Sequence, residues 1–200
     1  MTQPLLLASQ SASRQRLLRD AAVPFEIVRA GVDEDAAKAS FVAEGLKPRD
    51  LADALAELKA IRPSMRNPGA LVLGCDQTLE LADGSQIDKV ETREEAADLL
   101  RRMSGTTHKL HSAAVIAENG LPIWRQIESV SLQMRPLSDS FIAHYLDLDW
   151  EELRWCVGCY RIEGPGAQLF IRISGSLFAV QGLPLLPLLD YLRTRSILPA

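Results

Sequence analysis

Two hundred residues, 47% of them hydrophobic, can bury one sizeable core, so the chain reads as a single domain over residues 1–200. A net charge of −4 excludes a surface built to coat nucleic acid, so any basic residues with a chemical role must be gathered in a cleft suited to a small anionic substrate. The N-terminal apolar run is too short for a signal sequence, later apolar stretches are interrupted by Gly, Pro or charge, and three cysteines make no disulfide framework; a cytoplasmic protein without membrane spans is expected.

The first element is a strand-like run, Leu5-Leu6-Leu7-Ala8, followed by Ser9-Gln10-Ser11-Ala12-Ser13-Arg14 and an amphipathic helix carrying Arg14, Arg16 and Arg19. Small residues let a ligand approach the backbone, hydroxyls and free N–H groups at a helix N-terminus favour negative charge, and Arg14 adds a planar fork matched to phosphate oxygens. The same turn is also an ordinary N-cap. A strand over Phe25 to Val28 follows, then the acidic run Asp33-Glu34-Asp35, which reads either as a solvated loop or as carboxylates sharing Mg²⁺ with a phosphate substrate.

A helix is expected near Asp50 to Ile61, with Leu51, Leu55 and Leu58 on one face. Lys59 lies roughly 80° round that helix from Leu51, at the edge of the apolar stripe, where a lysine snorkels or aims its charge into a cleft. Ala70 to Gly74 is a buried-strand candidate, and Asp76 follows its end, where ligand crevices form in α/β sheets; it is a turn cap, a water-orienting carboxylate or a metal ligand. Leu79 to Ile87, with Asp83-Gly84 inside, predicts a hairpin that delivers Lys89, which on its own reads as an exposed strand-end lysine.

Thr92-Arg93-Glu94-Glu95 is a capping-box pattern for a helix running through Met103 to Ser104-Gly105. Two long strands flank Asn119-Gly120, the second alternating at Val130, Leu132 and Met134. A helix over about Ser138 to Leu148, an irregular Cys156 to Gly166, strands near Leu169 to Ile173 and Phe178 to Val180, and a Pro184-started helix complete a mixed α/β pattern with long antiparallel strands. Trp155-Cys156-Val157-Gly158-Cys159 is similar to the dithiol of thioredoxin-like oxidoreductases, but Tyr160 to Gly166 does not read as the helix such a thiol needs. His108 and His111, three apart on a strand, point to opposite faces and do not chelate one ion.

Taken in order, Leu7-Ala8-Ser9-Gln10-Ser11 with Arg14, Val32-Asp33-Glu34, Leu55-Ala56 with Lys59-Ala60, Gly74-Cys75-Asp76-Gln77, Lys89, Ser104-Gly105 with His108, and Gly182-Leu183-Pro184-Leu185 resemble the motif series of the Maf proteins over nearly the whole chain. The resemblance implies an elongated central sheet flanked by helices, bilobed with a central cleft and similar to inosine triphosphate pyrophosphatases. It implies hydrolysis of a nucleoside triphosphate to the monophosphate and pyrophosphate, and a homodimer. Asp76 would be the proton acceptor. Ser9, Arg14, Lys59 and Lys89 would hold the phosphates, and Asp33, Glu34 and Asp76 would hold Mg²⁺ or Mn²⁺. Gln77 and the segment Cys156 to Gly164, with Glu163, resemble the 7-methyl-GTP branch, dTTP or UTP being the alternative substrates. That branch has Trp where this chain has Ser13, which leaves Trp155 or Tyr160 to stack on the base. Two readings from other classes are a nucleotide-binding regulator of septum formation that does not turn over, and the thiol oxidoreductase.

Overall fold

The structure, a computed structural model, describes residues 5–199. Its element order is β1 (Leu5–Ala8), α1 (Ala12–Asp20), β2 (Phe25–Ile27), α2 (Glu34–Ala43), α3 (Pro48–Arg66), β3 (Val72–Glu80), β4 (Gln86–Ile87), α4 (Arg93–Met103), β5 (Thr107–Glu118), β6 (Leu121–Met134), α5 (Asp139–Leu153), a 3₁₀ turn (Pro165–Leu169), β7 (Phe170–Ser174), α6 (Leu177–Val180) and α7 (Leu185–Thr194). Seven strands form one mixed sheet in the order β2-β1-β3-β5-β6-β7, with β4 added to the end of β3. β1 pairs in parallel with β2 and β3, and the remaining pairs are antiparallel.

The apolar run of β1 has a direct cause: Leu5 and Leu7 pack into one cluster and Leu6 and Ala8 into another, so the strand is covered on both faces. Two large clusters sit at opposite ends of the long strands. One joins Leu79, Leu100, Met103, Leu110, Leu132 and Tyr145; the other joins Leu5, Leu18, Leu73, Ile116, Leu188 and Leu192. β3 and β5 contribute to both, so the sheet runs through two lobes with a cleft between them.

Several expectations change. The segment Asp33 to Ala43 is a helix rather than a loop: Asp33 is its N-cap, accepting from the Ala36 amide at 3.0 Å, and Glu34 and Asp35 stand in its positive first turn. α3 continues through Pro63 to Arg66 instead of ending at Ile61, with Pro63 buried inside it. Ala70–Gly74 and the first arm of the hairpin are one strand, β3, because Asp76 and Gln77 face a cavity instead of making a turn. Leu148 is followed by the non-helical Asp149 (φ −145°, ψ 18°), after which a second helical stretch reaches Leu153. Phe178 to Val180 is part of a helical turn, not a strand. Gly175 and Gly182, at φ +134° and +97°, bracket it, and Ser176 caps it.

α3 lies unusually close to the sheet. A Cβ at Gly74 would stand 2.2 Å from the Ala56 carbonyl oxygen and 2.6 Å from the Ala60 amide, and Ala52, Ala56 and Ala60 pack on Ala113, Val115 and Ala117 of β5. The contacts at Gly74 are backbone, so no side chain can swing away. Gly74→Ala is therefore expected to destabilise the fold by about 1–3 kcal/mol, read as a fall in Tm of about 2–12 °C for a chain of this size. An unchanged Tm would show that α3 is free to shift.

Candidate active site

The cleft is a cavity of about 1330 Å³ lined from both lobes. Its floor is the middle of β3. Asp76 points into it, and Lys59 reaches it from α3 because the glycine contact brings that helix down onto the strand. Lys59 Nζ stands 2.7 Å from Asp76 Oδ1 and 2.8 Å from Glu34 Oε2, with the Lys59 and Asp76 side chains only 8% and 14% exposed. The lysine therefore does not snorkel to solvent: its ammonium sits between two carboxylates at the cavity wall.

The turn after β1 supplies the facing side. Ser9 is buried, and its hydroxyl accepts from Arg14 Nη1 at 3.3 Å. Ser11 is the N-cap of α1, accepting from the Arg14 amide. Arg14 Nη1 and Nε also donate to the carbonyls of Cys75 (3.0 Å) and Gly182 (2.8 Å). The guanidinium is thus pinned between β3 and the turn before α7, and its direction is set before any ligand arrives. Lys89, exposed after β4, lines the same cavity from the opposite lobe. Ser9, Arg14, Lys59, Asp76, Lys89 and Glu34 are therefore brought together. Asp33 is not: its carboxylate caps α2 and does not line the cavity.

At the other end of the cavity Ser13 donates to Glu163 Oε1 at 3.4 Å, and Arg16 Nη2 lies 3.3 Å from the same oxygen. Gln77 also lines the cavity, but its amide nitrogen is spent on Ser112 Oγ and on the Ala179 and Val180 carbonyls, at 2.8–3.1 Å. That leaves only its oxygen for a ligand. Trp155 lines the cavity and is 67% exposed, with the Arg154 guanidinium over its ring at 5.1 Å, so one of its faces is already taken. Tyr160 is buried, its hydroxyl 2.7 Å from His108 Nε2 and its ring edge-on to Phe170 at 4.9 Å. It anchors the segment that carries Trp155 and Glu163.

The thiols do not look reactive. Cys156 follows the C-terminal end of α5 rather than opening a helix, and burial pushes the thiols of Cys156 and Cys159 up to about 11 and about 12, away from thiolate. Among the described residues no group of three or more His, Cys, Asp or Glu could hold a metal ion. Asp76 and Glu34 still suit a cation such as Mg²⁺, which takes one or two carboxylates and completes its shell with water and substrate phosphate. Lys59 already shows that this point of the wall accommodates positive charge.

Sequence reasoning missed Lys38 and Asp88, which line the cavity and pair with each other. The capping pattern of Asp33 followed by Glu34 and Asp35 was the available signal for α2, and α2 is what carries Lys38.

The sequence model of a family described as Maf-like protein matches residues 4–195. A nucleoside triphosphate pyrophosphatase of Sphingopyxis alaskensis is 53% identical, covering 98% of each chain. Another of that name, from Caulobacter vibrioides, is also 53% identical, covering 98% of this chain and 97% of its own. Among solved structures, a nucleoside-triphosphatase / dITP/XTP pyrophosphatase of Mycobacterium abscessus covers 98% of both chains at 14% identity and a TM-score of 0.40, too slight a likeness to add to the strand order above.

The His108–Tyr160 anchor has a consequence for stability. Burial holds His108 at about 4, below the ordinary histidine value, and among the described residues its Nδ1 has no hydrogen-bond partner. The unfolded chain binds this proton from about pH 6.5, so the contribution of the neutral ring is present above that pH and is lost as pH falls toward 4. The expected loss is on the order of 2–3 kcal/mol. Urea midpoints measured from pH 7 to 4.5 should fall more steeply in wild type than in His108→Gln. Parallel profiles would exclude His108 as the cause.

Proposed function

The chain belongs to the Maf family, and from that premise we propose that it hydrolyses a nucleoside triphosphate between the α- and β-phosphates, releasing the nucleoside monophosphate and pyrophosphate. The observation that carries this reading is the buried Lys59–Asp76 contact at 2.7 Å, opening onto a cavity that Ser9, Arg14 and Lys89 also line. Phosphoryl chemistry asks little of a protein beyond positioning and charge, and a pinned guanidinium with two ammonium groups around one carboxylate supplies both.

In this reading a water oxygen attacks the α-phosphorus, the bond from that phosphorus to the bridging oxygen breaks, and the electron pair leaves with pyrophosphate. Asp76 takes the proton of the attacking water. Lys59, 2.7 Å away, holds the Asp76 carboxyl in place and faces the charge that develops on the phosphate oxygens. Ser9 donates its hydroxyl hydrogen to a phosphate oxygen. Arg14, already fixed by the carbonyls of Gly182 and Cys75, loses little freedom on binding the triphosphate. Lys89 meets the leaving pyrophosphate. Asp76 and Glu34 would hold a divalent cation such as Mg²⁺ or Mn²⁺, which when bound neutralises phosphate charge and lowers the pKa of its water.

For the base we propose a purine of the 7-methyl-GTP type. Glu163, steered by Ser13 and Arg16, offers a carboxylate that can accept both N–H groups of a guanine edge and favours a cationic methylated ring, and Trp155 offers the exposed stacking face that Ser13 lacks. A pyrimidine triphosphate, dTTP or UTP, is the second reading. The Glu163 carboxylate, suited to paired N–H donors, is what favours the purine over it.

Asp76→Asn, nearly isosteric, should lower kcat by at least about a hundredfold with the fold intact by circular dichroism. Turnover near wild type would remove Asp76 from proton transfer, and a wild-type protein releasing pyrophosphate from no nucleotide would support a regulator that binds without turnover.

Glu163→Gln tests the base. Its amide presents one mismatched donor to a guanine edge, which should lower kcat/KM for GTP and 7-methyl-GTP relative to UTP by about fivefold to over a hundredfold. If both proteins rank the nucleotides identically with UTP or dTTP first, the pyrimidine reading takes over.

A further inference from the structure

We propose that Lys38 is a further polyphosphate-binding residue, held in reserve by Asp88 and released to the anion when substrate enters; this rests on the pyrophosphatase reading of the same cavity. Three observations carry it. Lys38 lies one helical turn beyond Glu34, so the two share a face of α2, and Glu34 fixes that face toward the cavity through its 2.8 Å contact with Lys59. Next, Lys38 pairs with Asp88, which belongs to the segment after β4 that also carries Lys89. The pair therefore joins two separate elements that both line the cavity. Finally, no residue of α2 is fully buried, and only Ala37, Lys38 and Phe41 are partly covered, so the helix is lightly held.

The two ends of that pair are unequal. The Lys38 side chain is 27% exposed, whereas Asp88 is 70% exposed. A single, well-solvated carboxylate is a weak partner, and exposed ion pairs contribute little. A triphosphate brings several charged oxygens into the same cavity and competes well for the ammonium. Burial lowers the Lys38 pKa from the ordinary lysine value. Asp76 and Asp35 oppose that shift, and Lys89 and Lys59 add to it, which places Lys38 within electrostatic reach of the groups assigned to phosphate binding and proton transfer.

The alternative is a purely structural tie between α2 and the β4–α4 segment. The two roles give opposite signs. If the pair is only a tie, removing either partner loosens that join equally. If Lys38 is a ligand restrained by Asp88, removing the lysine weakens anion binding and removing the aspartate strengthens it.

Inorganic tripolyphosphate, titrated calorimetrically into wild type, Lys38→Met, Asp88→Asn and the double variant, separates them. Lys38→Met should raise Kd about tenfold, Asp88→Asn should lower it about twofold to fivefold, and the gain from Asp88→Asn should disappear in the Lys38→Met background. The assignment is overturned if both single variants weaken binding alike, if Lys38→Met binds as wild type does, if the Asp88→Asn gain persists without Lys38, or if wild type does not bind tripolyphosphate. Pyrophosphate release from nucleotides is measured alongside on wild type. Its absence with the tripolyphosphate pattern intact would overturn the pyrophosphatase reading and leave the Lys38 assignment standing.

Discussion

The site depends on one close approach. With no Cβ at Gly74, the backbone of α3 at Ala56 and Ala60 settles directly on β3, and the alanines of α3 and β5 keep the two layers tight. Two residues further along the strand, and one short step along the helix, that approach brings Lys59 to Asp76. A longer side chain at the contact would lift the helix and lengthen the 2.7 Å ion pair. Packing thus sets the electrostatics: the pair lies at the cavity wall because small residues lie beneath it. The cost of desolvating the lysine is offset by having carboxylates on two sides, Asp76 and Glu34.

The cations around Asp76 differ in how firmly they are held, and the difference follows their elements. Arg14 is bonded to two backbone carbonyls and a buried serine, so it is preorganised. Lys59 is packed under α2 and is nearly as fixed. Lys38 and Lys89 stand on an unburied helix and an exposed strand-end segment, where they can follow a ligand. A rigid inner set beside softer outer charges suits a substrate whose reacting phosphorus must be placed accurately while its polyanionic tail arrives from solvent and leaves again as pyrophosphate.

How much of this the sequence disclosed depends on whether a signal was local. The capping box at Thr92, the hairpin at Asn119-Gly120 and the apolar β1 are local, and the structure contains them. Lys59 at the edge of its apolar stripe and Asp76 after a buried run were visible as candidates. Their contact was not, because it depends on a glycine meeting a helix. β3 was divided because its polar pair resembled a turn, and in the fold those side chains find partners on α3 and on α6. α2 went unrecognised because its acidic start reads equally well as a solvated loop and it has no buried stripe to give a period.

The segment after α5 shows how an irregular stretch can still hold cavity-facing side chains in place. Residues 154–164 contain no strand or helix, and Gly158 and Cys159 take positive φ. Order comes from three side-chain anchors. Tyr160 is buried against His108 and Phe170, Arg161 is paired to both oxygens of Asp149 at the α5 kink, and the Tyr145 hydroxyl donates to the Cys159 carbonyl. Trp155 and Glu163 lie on either side of these anchors, at the cavity, and inherit their positions from them. Such a loop can change the residues facing the ligand without disturbing β3, while the phosphate groups of the site stay where the sheet puts them. On the reading proposed above, that separation lets one phosphate cradle serve different bases, with discrimination resting on the loop rather than on Asp76.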